Sequence, residues 1–243
     1  MTKRAYRAAA VVTALVALAA AWLLYRGDFL SLSTPEKQVA AIRGYCSADE
    51  TGVSLQATLR PVVVHDQIIG SARVLVFTDE EIPGLLGNIQ FRRGILGGWQ
   101  AQCAEYSAGP VIQSDTVRTE PRYRIVYAAD CPPEVARYTV QANPDLPETL
   151  MAEGTVDAPS FFHIHETGAN FFPRLSLFAA DRTELDPRDY LASDDSVPSP
   201  GIGSAEVNMV YWVCAGILGI GYVIARYFWE GGKPKTGQSE KTP

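Results

Sequence analysis

Two apolar runs bracket the chain, residues 8–25 (AAAVVTALVALAAAWLLY) and 207–227 (VNMVYWVCAGILGIGYVIARY). Neither holds Asp, Glu or Lys, and the one Arg in either, Arg226, stands next to the end of the second. A helix needs about 20 mostly apolar residues to cross roughly 30 Å of hydrocarbon. The runs therefore predict transmembrane helices over 8–25 and 207–227. Residues 26–188 then form a domain on one side of the membrane, joined to the second helix by a Ser-, Asp-, Pro- and Gly-rich linker over 189–206.

Orientation follows from Lys and Arg, which concentrate on cytoplasmic flanks. Lys3, Arg4 and Arg7 precede the first run, and Arg226, Lys233, Lys235 and Lys241 lie at or after the end of the second. The inner flanks carry only Arg26 near the membrane. Both termini are expected in the cytoplasm, as tails 1–7 and 228–243, with the domain extracytoplasmic in a multi-pass cell-membrane protein. Trp22, Tyr25, Tyr211, Trp212, Tyr227 and Trp229 fall at the expected interfaces, where amphipathic rings collect. A signal peptide cut after Ala17-Leu18-Ala19 is the competing reading of the first run. The run continues through Trp22-Leu23-Leu24-Tyr25, longer than a signal core of about 7–15 residues.

Small residues recur along both runs. Ala10, Ala14, Ala17 and Ala21 form one stripe, and Ala215/Gly219 and Gly221/Ala225 take small-xxx-small spacing. Such faces let helix backbones approach closely, so the partners expected are the lipid bilayer and a membrane protein or a second copy of the chain. No ionisable group lies deep in either run, which argues against an ion path built from this chain alone. Two helices are too few for a transporter repeat. The predicted cytoplasmic tails are too short for a signalling domain.

Residues 27–206 hold thirteen Lys and Arg against twenty-five Asp and Glu, a net charge of −12. An acidic surface disfavours nucleic acid and anionic surfaces. Cys46, Cys103 and Cys131 lie in this region and Cys214 in the second run. Three thiols allow at most one internal disulfide, Cys103–Cys131 being one option, and ordinary buried thiols are the other. Cys103 continues the apolar alternation Trp99, Ala101, Cys103.

The domain reads as α+β, with a short leading helix and a mainly antiparallel, curved sheet; a β-sandwich is the alternative. Thr34-Pro35 opens the helix and Gly44 is its expected stop. Strands are predicted at 53–64, 72–77, 88–93, 98–106, 122–128, 137–142, 149–156, 160–165 and 174–179, with His65-Asp66-Gln67 as a turn. Residues 94–97 should be a hairpin turn, as should Asp181-Arg182-Thr183-Glu184. Asp115 and the other scattered aspartates read as turn and linker acids.

His163-Ile164-His165 is the strongest chemical signal. Two apart on a strand, the imidazoles share a face and could give a metal two nitrogens. Glu166 would point the other way, and His65 is the remaining histidine. The plain alternative is two surface histidines beside a buried Ile164. Phe161, Phe162, Phe171 and Phe172 surround the pair as core or as a contact surface. Gly97-Gly98-Trp99 reads as a hairpin around a buried Trp. Ser160, His163 and Asp157 lie close in sequence, but no hydrolase or nucleotide-binding motif is present, and no cofactor is expected. The sequence points to a two-span membrane protein whose outer domain is a non-catalytic binding, sensing or accessory module. A metal-binding module on His163 and His165 is the alternative.

Overall fold

The structure is a computed structural model describing residues 2–47, 59–108, 111–117, 119–141, 150–167, 174–186, 189–190 and 204–231. The chain divides into two compact units, residues 1–30 with 203–243, and residues 31–202.

The first unit is a helix pair. Helix α1, Lys3–Asp28, starts with the Thr2 hydroxyl accepting from the Ala5 N–H at 3.4 Å. It ends where the Phe29 N–H reaches the Tyr25 carbonyl. The second helix of the pair, numbered α3 in chain order, spans Ser204–Gly231. Both are longer than the apolar runs that predict them, and both are long and apolar enough to cross a membrane. They run antiparallel. Tyr6 lies 6.5 Å from Phe228 and the Arg7 guanidinium over the Trp229 ring, while Tyr25 and Phe29 meet Tyr211 at the other end. Ala10, Ala17 and Ala21 face α3, and a Cβ at Gly221 would run into Ala17. The Cys214 thiol reaches the Ala21 carbonyl at 3.4 Å. The small-residue stripe is thus used within one chain. Ala14 and the Ala215/Gly219 pair are the exceptions, lying exposed.

The second unit begins with α2, Pro35–Ser47. The helix runs past Gly44, its expected stop, because the next turn is anchored. Cys46 is fully buried and the Tyr45 hydroxyl donates to the Gln102 carbonyl at 3.2 Å. Eleven strands follow among the described residues, divided over three antiparallel sheets rather than running as one. Sheet I takes β1 (Pro61–Ile69), β2 (Ala72–Asp79), β3 (Leu85–Arg93) and β4 (Trp99–Ala108) in that order. Sheet II takes β5 (Ile112–Val117), β6 (Arg122–Ala128) and β9 (Phe161–Thr167). Sheet III has the order β11-β10-β7-β8, from Glu184–Leu185, Arg174–Phe178, Arg137–Gln141 and Leu150–Thr155.

Three cores separate four layers. Ile42 and Cys46 of α2 pack with Leu75, Phe77, Ile89 and Phe91 on one face of sheet I. Val74, Val76 and Leu86 on its other face pack with Ile125 and Tyr127 of sheet II. Val126, Ala128 and Phe161 on the far face of sheet II pack with Tyr138, Val140 and Leu177 of sheet III. The inner strands β2, β3 and β6 are therefore buried on both sides and carry apolar residues in both phases of the strand period.

Three sequence expectations change here. His65-Asp66-Gln67 is strand, and the turn falls at Gly70-Ser71, where Gly70 takes a φ of 59°. β5 has no apolar alternation in its centre and was not expected as a strand; Asp115 lies in it. A bulge in β4 pairs Phe91 with Ala101 and Gln90 with Cys103, leaving Gln102 over. One extra residue reverses the phase. Trp99 and Ala101 face α2, and after the bulge Ala104 and Tyr106 do so in place of Cys103. A further bulge interrupts β1 between Val63 and His65. The predicted strand residues 53–58 lie outside the described residues.

Two glycines make opposite predictions. A Cβ at Gly87 would stand 2.5 Å from the Tyr106 Cβ and 2.8 Å from the Phe77 ring. Gly87→Ala should cost about 1–3 kcal/mol through overpacking. Gly44 is mid-helix, with nothing within 4 Å of the added Cβ, and Gly44→Ala should stabilise by roughly 0.5–1 kcal/mol. Thermal unfolding of the two variants in detergent checks both signs.

Candidate functional site

The histidine pair sits on β9, facing sheet III. Phe161, His163, His165 and Thr167 share that face, while Ile164 and Glu166 point away and are exposed. The expectation of a buried Ile164 between surface histidines is reversed, because β9 turns its polar phase inward. Tyr138 of β7 explains how this is tolerated. Its hydroxyl lies 2.8 Å from His163 Nδ1 and 2.7 Å from His165 Nε2. A phenol has one proton, so it donates to one imidazole and accepts the N–H of the other.

The tyrosine reaches this position because Gly154 faces it across the β7–β8 ladder. A Cβ at Gly154 would overlap the Tyr138 ring. Phe161 stacks on that ring with centroids 6.2 Å apart and an angle of 6°, and lies 4.9 Å from His163. Burial holds the pKa of both imidazoles below 6.5; the neighbouring His163 lowers that of His165 further, while Asp157 partly offsets the effect on His163. Burial also raises the Tyr138 hydroxyl well above 10. The resting state is a neutral imidazole–phenol–imidazole bridge.

The two outer nitrogens, His163 Nε2 and His165 Nδ1, have no hydrogen-bond partner among the described residues. The bridge could relay a proton, and with Tyr138 as oxygen donor it offers three ligand atoms. No group of three or more His, Cys, Asp or Glu side chains placed for a metal ion occurs among the described residues. Glu166 lies on the other face. His65 is engaged elsewhere: its Nε2 stands 3.1 Å from Ser160 Oγ and 3.4 Å from the Ala128 carbonyl. Ser160 thus meets His65 and not His163. Among the described residues no carboxylate bonds to His65, so a Ser-His-Asp relay is not assembled. Phe171 and Phe172 lie outside the described residues.

A second polar cluster separates sheets I and II, and sequence reading missed it. Asn88 and Gln90 are fully buried on β3. Their amides donate to Asp115 Oδ2 at 3.2 and 2.7 Å, and the Thr116 N–H donates to Oδ1 at 2.6 Å. Asn88 also donates to the Tyr127 hydroxyl at 2.7 Å, which donates to Gln113 Oε1 at 2.6 Å. Burial raises the Asp115 pKa, against the pull of these donors and of Arg124. Arg124 is held on the opposite face by Ser114 Oγ and Thr116 Oγ1, at 2.8 and 2.6 Å. In sequence the one hint was a run of polar residues, Gln113 to Thr116, between apolar ends.

Among the described residues Cys46, Cys103, Cys131 and Cys214 form no disulfide, the Cys103–Cys131 option included. Burial pushes the Cys131 thiol up to about 11, so it is inert. It lines an open cavity of 640 Å³ with Asp130, Pro132, Val135, Asp157 and Pro159. Comparison of the chain with protein-family models, with curated proteins and with solved structures finds no match in any of the three.

The bridge predicts a pH dependence. In the native state both histidines titrate below 6.5, their unfolded value. The unfolded chain then binds more protons just below that pH, and stability rises with pH. Their contribution is complete above 6.5 and is lost as pH falls through the native values. Asp115 acts oppositely: its native pKa is raised, so its contribution is present below 3.8 and lost as pH rises through the native value. Unfolding followed against pH should steepen below 6.5, and His163→Gln with His165→Gln should flatten that step. Tyr138→Phe should cost about 1–3 kcal/mol by leaving imidazoles unpartnered.

Proposed function

We propose that the chain is a two-span integral membrane protein whose acidic outer domain is a non-catalytic binding, sensing or accessory module of a membrane complex. The observation that carries the membrane part is the spacing of aromatic rings on an antiparallel pair. Tyr6, Phe228 and Trp229 mark one end; Trp22, Tyr25, Tyr211 and Trp212 mark the other. From Tyr6 to Tyr25 α1 rises about 28 Å, which matches a hydrocarbon core of roughly 30 Å. Lys3, Arg4, Arg7 and Arg226 all belong to the first end, against Arg26 at the second. The positive-inside rule then puts both termini in the cytoplasm and the domain outside.

The module reading is supported by what fills the domain interior. The polar side chains between the sheets each hydrogen-bond to another across the layers, as Asn88 and Gln90 do to Asp115 and Tyr138 to His163 and His165, while Asn88 Oδ1 has no partner among the described residues. Purification of the full-length chain at native level in gentle detergent, with mass spectrometry, should recover a reproducible stoichiometric membrane partner. Its absence at native level overturns the accessory-subunit reading. Reporter fusions at residue 243 and within 94–97 should give opposite sidedness.

A second reading, a metal-binding module on His163 and His165, is favoured by one observation: both imidazoles already converge on a single oxygen, that of Tyr138. Zinc or copper added to the full-length protein should bind one per chain and be lost in His163→Ala. Equal uptake by the variant removes the reading.

A further inference from the structure

We propose that the tip of the β3–β4 hairpin is an interfacial anchor that seats the outer domain on anionic phospholipid headgroups, with Ile95 and Leu96 in the acyl boundary and Arg92 and Arg93 on phosphates. The proposal rests on reading α1 and α3 as membrane spans.

Ile95 and Leu96 are 78% and 64% exposed. Single surface apolar residues need no explanation, but these are adjacent and occupy a turn that polar residues would fill at no cost. The turn is well defined. The Gly94 N–H reaches the Gly98 carbonyl, the Gly97 N–H reaches the Gly94 carbonyl, and Gly97 and Gly98 hold φ of 86° and 80°. The chain therefore presents both apolar side chains outward on a fixed support. Ile68, also exposed, lies at the same end of sheet I.

Charge separates this end from the rest of the domain. Over residues 27–206 the net charge is −12. Yet Arg92 and Arg93, both exposed, stand at the base of the tip with no ion pair among the described residues. Asp66, in the middle of β1, is held by Arg73 at 2.6 Å, and the exposed acids of the adjoining end of sheet II are Glu120 in the turn before β6 and Glu166 on β9. Trp99 closes the hairpin opposite Arg93, half-buried, with the Arg73 guanidinium 5.7 Å over its ring. Apolar tip, Trp collar and free arginines are the composition of a membrane-interface element.

The Gln38 amide donates to both the Leu32 carbonyl and Asp66 Oδ2, and Asp66 pairs with Arg73 beside Phe91 on β3. The middle of β1 is thereby tied to Leu32, four residues past the end of α1, which is about 14 Å of extended chain. A two-residue tip also falls far short of the roughly 800 Å² per partner that a stable protein interface buries.

The test places p-benzoylphenylalanine in place of Leu96, Glu80 or Leu15 in the full-length chain. Glu80 is exposed at the opposite end of sheet I, and Leu15 lies in mid-α1. Each is reconstituted in vesicles of phosphatidylcholine with or without phosphatidylglycerol, irradiated and weighed. Lipid adducts are expected at positions 15 and 96 and not at 80. Arg92→Gln with Arg93→Gln should lower the yield at 96 on the order of tenfold, with unchanged thermal unfolding. Adducts at 15 but none at 96 overturn the anchor and leave the spans standing. No adduct at 15 removes the spans and the anchor with them. Equal yield without phosphatidylglycerol overturns the recognition of anionic headgroups. Cross-linked protein in place of lipid overturns the lipid partner.

Discussion

The central strand of sheet II has no face left for water. β6 must satisfy two cores, one shared with sheet I and one with sheet III, and its sequence is the result. Ile125 and Tyr127 point one way, Val126 and Ala128 the other, and all four are buried. An isolated three-stranded sheet could not hold such a sequence in solution. The order of the layers follows: sheets I and III must each give sheet II an apolar face, and sheet I must then cover its own far side, which α2 does.

The same constraint explains the polar exceptions. A buried amide or carboxylate is tolerated only where partners are built in. Asn88, Gln90, Gln113 and Tyr127 enclose Asp115 on one side of sheet II, and Tyr138 joins His163 to His165 on the other. Each cluster draws partners from more than one sheet. Both therefore fix how the layers are stacked, because a shift of one residue would leave several buried groups unpaired at once.

Much of this was legible in the chain before folding. Strands with one wet face or a long apolar run showed themselves: β2, β4, β6 and β10 fall where alternation or β-rich composition placed them. The helices showed themselves by length and by Thr34-Pro35. What could not be read were features set by partners distant in sequence. β5 is polar in its middle because Asn88 and Gln90, more than twenty residues away, supply its hydrogen bonds. The bulge at Gln102 switches which phase of the β4 sequence faces α2, and no residue type announces it. The bridge at Tyr138 depends on the missing Cβ of Gly154, and neither residue stands out alone. The pair His163 and His165 was visible by its period, but which way it faced was decided by the sheet that lies over it.

The bulge in β1 has a bearing on how another chain could approach. Among the described residues β1 is an outermost strand of sheet I. It starts at Pro61, which has no N–H to offer, and it kinks between Val63 and His65. A straight peptide laid alongside would lose its register within two residues, and beyond the kink it would meet the paired charges of Asp66 and Arg73. This margin resists backbone recruitment, so a partner approaching along β1 would be met through side chains, and the chain is guarded there against stacking into fibrils of its own kind.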